Sequence, residues 1–199
     1  MLGLPKATEL SKQLPKNAIY AKFQMNTAEK AKIDADISRI TIVSEVSAEK
    51  VHIAAGEQVK SFFVLLVALK KKDFDDKTII TISKLIPQNM LLVLECGDEA
   101  KLATYHTKLM QTEWKQKEEL SIELKGLNMD AVWENIIVQI GGITVEQGNT
   151  LDEQIAVDEQ RTKIQKEIDR LTKQAKNEKQ PKKKFELAQQ IKKLNDELR

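Results

Sequence analysis

Acidic residues near one lysine are the first candidates for chemistry in this chain. Asp34 and Asp36 precede a predicted strand, and Glu95 ends another strand after four apolar residues. In a metal-dependent nuclease, such carboxylates hold Mg²⁺ while a lysine polarises the attacking water. That chemistry needs Glu-x-Lys spacing, but Lys101 lies six residues after Glu95, across a predicted turn. A nuclease is therefore an alternative that requires all four side chains to converge. The preferred interpretation of Asp34 and Asp36 is a set of ion pairs with Arg39 that holds a helix-to-strand junction.

A thiol and an imidazole are the second candidates. Cys96 and His106 lie on the two strands of a predicted hairpin whose turn is centred on residues 97–100, which pairs His106 with Leu91. At roughly 3.3 Å per residue the two side chains are then about 15 Å apart, whereas a nucleophile and its base must touch. The sequence also lacks a phosphate-binding loop, GxGxxG, HExxH, GxSxG and CxxC. We therefore predict no catalytic residue, no metal ligand and no cofactor.

The strongest local signal is a run of positive charge near the C-terminus, in which Glu178 is the only acid. Its basic residues are Arg170, Lys173, Lys176, Lys179, Lys182, Lys183 and Lys184. Such residues can contact nucleic-acid phosphates without reading sequence. The alternatives are contact with an acidic protein surface, or a solvated loop whose lysines favour a helix C-terminus. Phe185 is the only aromatic residue available there for stacking on bases.

Tryptophan is enriched where proteins meet their partners, and the chain has two. Trp133 lies beside Val132 and one turn before Ile136 on a predicted helix, which favours core packing. Trp114 lies in the polar stretch 111–115. It can either cover the edge of the sheet or contact a partner, and the sequence leaves both interpretations open.

The positive run lies in a segment with the pattern of two long helices. Residues 150–199 contain no Gly, a single Pro and mainly Lys, Glu, Gln and Leu. Apolar residues recur there at spacings of four and three, which indicates a coiled-coil seam. The seam residues are Ile164, Ile168, Leu171, Leu187, Ile191, Leu194 and Leu198. Pro181 interrupts the pattern, so we predict an antiparallel hairpin of helices at about 150–176 and 181–199.

Each seam covers only two or three heptads, which is marginal for an isolated helix. The two helices therefore need each other, a second copy of the chain or another partner, so a homo-oligomer is open. Thr150 followed by Glu153 matches a capping box and predicts where the first helix starts.

The residues before the hairpin mix β-branched strands with amphipathic helices. The predicted strands are 18–25, 39–46, 51–55, 61–69, 90–96, 101–109 and 120–124. The predicted helices are 8–13, 27–36, 73–85 with Asp73 as its cap, and 128–140. This order predicts an α+β domain over residues 1–145, with a mostly antiparallel sheet and helices on one face.

Composition narrows the class of protein. The chain has 199 residues, 41% of them hydrophobic, and a net charge of only +2, so it is neither disordered throughout nor a polycation. Its single cysteine excludes an internal disulfide. The longest apolar run, 62–69, is far shorter than the roughly 20 residues of a membrane-spanning helix, and no signal peptide is evident. We expect a soluble, cytoplasmic protein without a membrane partner.

Several segments together resemble a bacterial family of unknown function, the DUF4391 type. They are LGLPKATE at 2–9, IDADISRI at 33–40, LMQTEW at 109–114, WEN at 133–135 and TLDEQ at 150–154. The likeness extends over nearly the whole chain. It implies a setting beside DNA methyltransferase and helicase genes, in restriction-like or phage-defence loci. Because the family has no assigned activity, the resemblance implies no catalytic residues.

These observations favour a non-enzymatic accessory subunit of a DNA modification, restriction-like or phage-defence complex. Its expected protein partner is a DNA methyltransferase or helicase subunit, and nucleic acid is a further expected ligand through the basic turn of the hairpin. A metal-dependent nuclease and a plain oligomeric scaffold are the two alternatives.

Overall fold

The structure is a computed structural model, and it describes residues 2–198. The chain divides into two compact units between residues 143 and 144. The strands are β1 Glu9–Leu14, β2 Ile37–Ser47, β3 Ser61–Leu69, β4 Asn89–Cys96, β5 Glu99–Tyr105, β6 Leu109–Gln111 and β7 Lys115–Gln116. The α-helices are α1 Lys16–Lys22, α2 Thr27–Asp36, α3 Ala48–Val51, α4 Asp76–Ser83, α5 Met129–Gly141, α6 Leu151–Asn177 and α7 Pro181–Glu197. All strands lie in the first unit.

The first unit is built on a seven-stranded sheet with the order β1-β2-β3-β4-β5-β6, in which β7 also pairs with β5. Only β3 and β4 run parallel, with Leu65 opposite Leu92, and α4 provides the crossover that a parallel pair requires. The remaining strand pairs are antiparallel. The predicted α+β class with a mostly antiparallel sheet is confirmed, as is the helical pair that follows it.

Helices cover both faces of this sheet, whereas the sequence predicts them on one face. Leu65 packs in a cluster with Ile79 and Ile82 of α4. Phe62, three residues earlier on the same strand and so on the opposite face, meets Trp133 of α5 with ring centroids 5.2 Å apart. The continuous apolar runs of β3 and β4 indicate this arrangement, because a strand with apolar side chains on both faces needs helices packed on both faces.

Two predictions near the N-terminus are wrong. Residues 8–13, expected to be helical, contain most of β1, whose pairing with β2 overrides the helix-forming Glu, Lys and Gln in that segment. Residues 18–25, expected to be a strand, contain most of α1, which follows Pro15 and buries Ile19 completely. Pro15 lacks a backbone donor and has a fixed φ, so it suits a position directly before a helix.

Three further predictions differ from the structure. Residues 51–55 form no strand: α3 ends there at Val51, the following His52 has a φ of +56°, and only Ala54 makes an isolated bridge. Residues 120–124 form no strand either. Finally, α4 is capped by Asp75 rather than Asp73, because the Asp75 carboxylate accepts a hydrogen bond from the Lys77 N–H at 2.9 Å.

The second unit contains α6 and α7, which pack against each other. The predicted capping box is present at its start: the Glu153 carboxylate accepts the Thr150 N–H at 2.8 Å, and the Thr150 hydroxyl accepts the Glu153 N–H at 3.3 Å. Over residues 2–198, none of the helices combines the length and hydropathy needed to cross a membrane.

Candidate nucleic-acid interface

A three-residue turn, 178–180, joins α6 to α7 and makes the two helices antiparallel. Glu178 braces this turn, because its carboxylate accepts the Gln180 N–H at 2.9 Å. That hydrogen bond, helped by the Lys179 N–H and the charge of Lys183, holds the pKa of Glu178 below its usual value. Pro181 then opens α7. The one acid of the basic segment is therefore engaged by the turn itself.

The predicted seam residues are the less exposed residues of their helices. On α6, Ile168 and Leu171 are buried and Ile164 is half-buried. On α7, Leu187, Ile191 and Leu194 are half-buried, as is Leu198 just beyond its end, and the other residues from 181 to 197 are exposed. The seam therefore orients each helix and leaves the remaining faces of α7 to solvent.

Six lysines surround the turn, and we call them the lysine tip. They are Lys173, Lys176, Lys179, Lys182, Lys183 and Lys184. Each is exposed, and in the part of the chain that the structure describes none of the six is ion-paired with a carboxylate. Arg170, the seventh predicted cation, differs: its guanidinium donates from Nε to the Glu167 carboxylate at 2.7 Å. This pair lowers the pKa of Glu167 and raises that of Arg170.

The lysines of the tip occupy two electrostatically different positions. Lys173 and Lys176 lie near the C-terminal end of α6, where the helix dipole favours positive charge. Lys182, Lys183 and Lys184 lie in the first turns of α7, whose first turn has no acidic residue. At that end the dipole disfavours positive charge. A solubilising role explains the first pair of lysines, but it does not explain three adjacent lysines at a helix N-terminus.

An open groove of about 650 Å³ lies between the two helices beside the turn. Lys173 and Lys183 line it together with Glu178 and Glu186. Two cations and two acids balance each other, so the groove alone has no preference for an anion. The positive surface of the hairpin is the exposed lysine tip and not this groove.

The residues of the nuclease alternative each have partners of their own. The Asp34 carboxylate accepts from Lys16 Nζ and from the Tyr20 hydroxyl, both at 2.7 Å. The Lys16 hydrogen bond and then that of Tyr20 lower the pKa of Asp34. Burial and the hydrogen bond to Asp34 raise the pKa of Tyr20 to about 12. The neighbouring Asp36 is buried, and its carboxylate forms a separate ion pair with Lys71 Nζ at 3.1 Å.

Glu95 and Lys101 are engaged elsewhere. Glu95 forms an ion pair with Lys117 at 2.9 Å. The Lys101 ammonium lies 4.8 Å from the centre of the Phe74 ring and 5.2 Å from that of Trp114, and burial lowers its pKa. Among residues 2–198, no group of three or more His, Cys, Asp or Glu side chains is arranged to hold a metal ion.

The two tryptophans have different environments. Trp133 is 4% exposed, which confirms its predicted place in the core. Trp114 is half-buried against the cluster that contains Leu65, and its ring also lies 5.4 Å from Lys72 Nζ. Trp114 therefore covers the sheet, as one of its two interpretations predicted. A partner contact through its exposed part stays a prediction.

Asp130 holds a loop of the first unit and is not among the residues predicted from the sequence. The Asp130 carboxylate, in the first turn of α5, accepts the backbone N–H groups of Glu57, Gln58 and Val59 at 2.7, 3.1 and 2.6 Å. These bonds, that of Val59 first, lower the pKa of Asp130. A β-carbon at Gly56 would lie 2.3 Å from this carboxylate, so the loop needs glycine there. An aspartate just after a helix cap was the only available signal.

The fold is thus an α+β sheet unit followed by a helical hairpin with a lysine-rich turn. The chain belongs to the family called domain of unknown function DUF4391, whose model matches residues 2–198. This match confirms the family that the sequence resembles. Comparisons with curated proteins and with solved structures found no match. Function therefore has to be argued from the residues themselves.

Proposed function

We propose that this chain is a non-enzymatic accessory subunit whose lysine tip contacts the phosphate backbone of nucleic acid. One observation carries the proposal: six exposed lysines surround one turn, and none of them forms an ion pair with a carboxylate in the described residues. Exposed cations grouped in this way neutralise phosphates and release their counterions. Because these contacts reach the backbone and not the base edges, the binding is expected to be independent of sequence.

The position of Lys182, Lys183 and Lys184 supports an anionic ligand. At the N-terminal end of α7 the unpaired backbone N–H groups and the three ammonium groups together make the local potential positive. Without a ligand, this arrangement is electrostatically unfavourable. A bound phosphate offsets it, because anions are favoured at helix N-termini.

The family resemblance makes DNA the first ligand to test. If the setting beside DNA methyltransferase and helicase genes applies to this chain, the lysine tip would hold DNA while a partner enzyme supplies the chemistry. A methyltransferase or helicase subunit is the proposed protein partner, and Trp114 is one candidate contact for it on the first unit. A pull-down with such a subunit tests this step separately.

Charge reversal tests the nucleic-acid contact. The variant K182E/K183E/K184E is compared with wild type for binding to a labelled DNA duplex by fluorescence anisotropy. The matched control is K6E/K12E/K60E, which changes net charge equally at three exposed lysines of the first unit. The proposal predicts that only the tip variant loses binding. Equal loss in both variants, or no loss in the tip variant, would contradict it.

An oligomeric scaffold is a second candidate, and the α7 seam favours it. Leu187, Ile191 and Leu194 stay half-buried in the hairpin, so a second copy of the chain could cover them further. A scaffold predicts a dimer mass in sedimentation equilibrium that is unchanged by K182E/K183E/K184E. A monomer mass across micromolar concentrations would exclude this candidate.

A further inference from the structure

Phe185 is an exposed aromatic residue at the edge of the lysine tip. Its side chain is 64% exposed, and no other aromatic residue in the range 2–198 is in the exposed class. An apolar ring of this size is normally placed in a core or an interface. The half-buried seam of α7 includes Leu187, two residues later, but the Phe185 ring lies outside this seam.

Of the helix-surface neighbours of Phe185, Pro181 and Ala188 are small and apolar, and Lys182 and Gln189 are positive or polar. One row of side chains along α7 passes through Phe185, with successive spacings of three, four and three residues. It consists of Lys182, Phe185, Gln189 and Lys192. All four are exposed. The seam residues Leu187 and Ile191 lie on the opposite side of the helix. From Lys182 to Lys192 the row extends for about 15 Å at 1.5 Å per residue.

We infer that this row binds single-stranded or locally unpaired nucleic acid, with the Phe185 ring stacked on a base and Lys182 and Lys192 contacting phosphates on either side. The inference rests on the proposed function and narrows its ligand. Backbone contact with a duplex has no use for an exposed ring, because the faces of paired bases are covered by their neighbours. Binding of single strands combines the two features seen here, positive charge along the backbone and an aromatic platform for a base.

The charge of the row argues against the other obvious occupant, a second copy of the chain. If two copies met through Phe185, their lysines would be brought together, and like charges in an interface are strongly unfavourable. An anionic ligand places opposite charges at Lys182 and Lys192. DNA and RNA single strands share the chemistry required, so both belong in the experiment.

The test measures the affinity of the full chain for labelled strands of about 16 nucleotides, as DNA, as RNA and as a DNA duplex. The variant F185A is expected to weaken single-strand binding about tenfold while duplex binding changes less than about twofold. F185W, which keeps a stacking ring, is expected to retain wild-type affinity. L127A removes an exposed apolar side chain from the first unit and serves as the control.

A strand containing abasic sites isolates the stacking contact, because it keeps the phosphates but removes the bases. On that strand F185A is expected to bind as wild type does. If F185A weakens single strand and duplex equally, or neither, the inference is overturned while the lysine tip stands. If wild type binds no nucleic acid at all, the proposed function fails first, so the two failures are distinguishable.

Discussion

The two units of the chain differ in how their lysines are paired with carboxylates. In the sheet unit Lys16, Lys71 and Lys117 are ion-paired with Asp34, Asp36 and Glu95. In the hairpin the six lysines of the tip have no such partner among the described residues. These three lysines of the sheet unit are therefore neutralised by structural ion pairs, whereas the lysines of the tip are available to a ligand. A net charge of +2 over the whole chain conceals this contrast.

The largest effect is expected from breaking the hairpin. The substitution I168D places a charge where the native side chain is 7% exposed, and an unpaired buried charge costs about 3–5 kcal/mol. Far-UV circular dichroism should show a loss of helix, with nucleic-acid binding lost in parallel because the tip lysines are no longer held together. Q160D, at an exposed position on the same helix, is the control. Unchanged helicity in I168D would refute the seam assignment.

A smaller loss of stability is expected on the sheet side of the comparison. W114A removes a half-buried ring from the core cluster and from the ammonium groups of Lys72 and Lys101. The sheet unit should lose about 2 kcal/mol of unfolding free energy in urea denaturation, with W114F losing less. Nucleic-acid binding should be unaffected. A binding defect in W114A would show that free surface on the sheet unit contributes to the interface.

The loop held by Asp130 provides a pH-dependent prediction. The carboxylate has a lowered pKa because it accepts three backbone N–H groups, so its stabilising effect is present above the unfolded pKa of about 3.9 and is lost as pH falls through the folded pKa. D130N should therefore be less stable than wild type at neutral pH, and the difference should shrink as the pH falls below about 4. Urea denaturation at several pH values measures this. A difference independent of pH would mean that Asp130 acts by packing alone.

The smallest expected effect is a difference between two cations of the hairpin, Lys173 and Arg170, in the salt dependence of binding. K173A removes a lysine without a carboxylate partner, whereas R170A removes a guanidinium already bound to Glu167. K173A should reduce the salt-dependence slope of binding by about one, and R170A should reduce it less. Salt titrations of the two variants make the comparison. A larger change in R170A would mean that its pair with Glu167 opens on binding.

The hairpin could be predicted from the sequence because the features that determine it are local. Apolar spacing, Pro181 and the Thr150–Glu153 capping box all act within a few residues, and the helices occur as α6 and α7. The buried strand β3 was also readable, since its apolar run coincides with its bounds. β1 was not, because its strand conformation depends on β2, which pairs with it from more than twenty residues away.

The candidate site likewise has local features that the sequence predicts and long-range contacts that it does not. The identity of the six lysines and the isolation of Phe185 from the seam are visible in the sequence. The pairing of Arg170 with Glu167 was suggested by their three-residue spacing but overlooked. The ion pairs that separate Asp34, Asp36 and Glu95 depend on Lys16, Lys71 and Lys117, whose approach only the folded sheet determines.

A salt titration of DNA binding tests the central claim most directly, with wild type and K182E/K183E/K184E compared by fluorescence anisotropy. For wild type the logarithm of the association constant should fall linearly with the logarithm of salt concentration. Any residual binding by the variant should have a slope shallower by about three. Wild-type binding that does not respond to salt, or a variant with the same slope, would contradict the assignment of the lysine tip as a backbone-contacting surface.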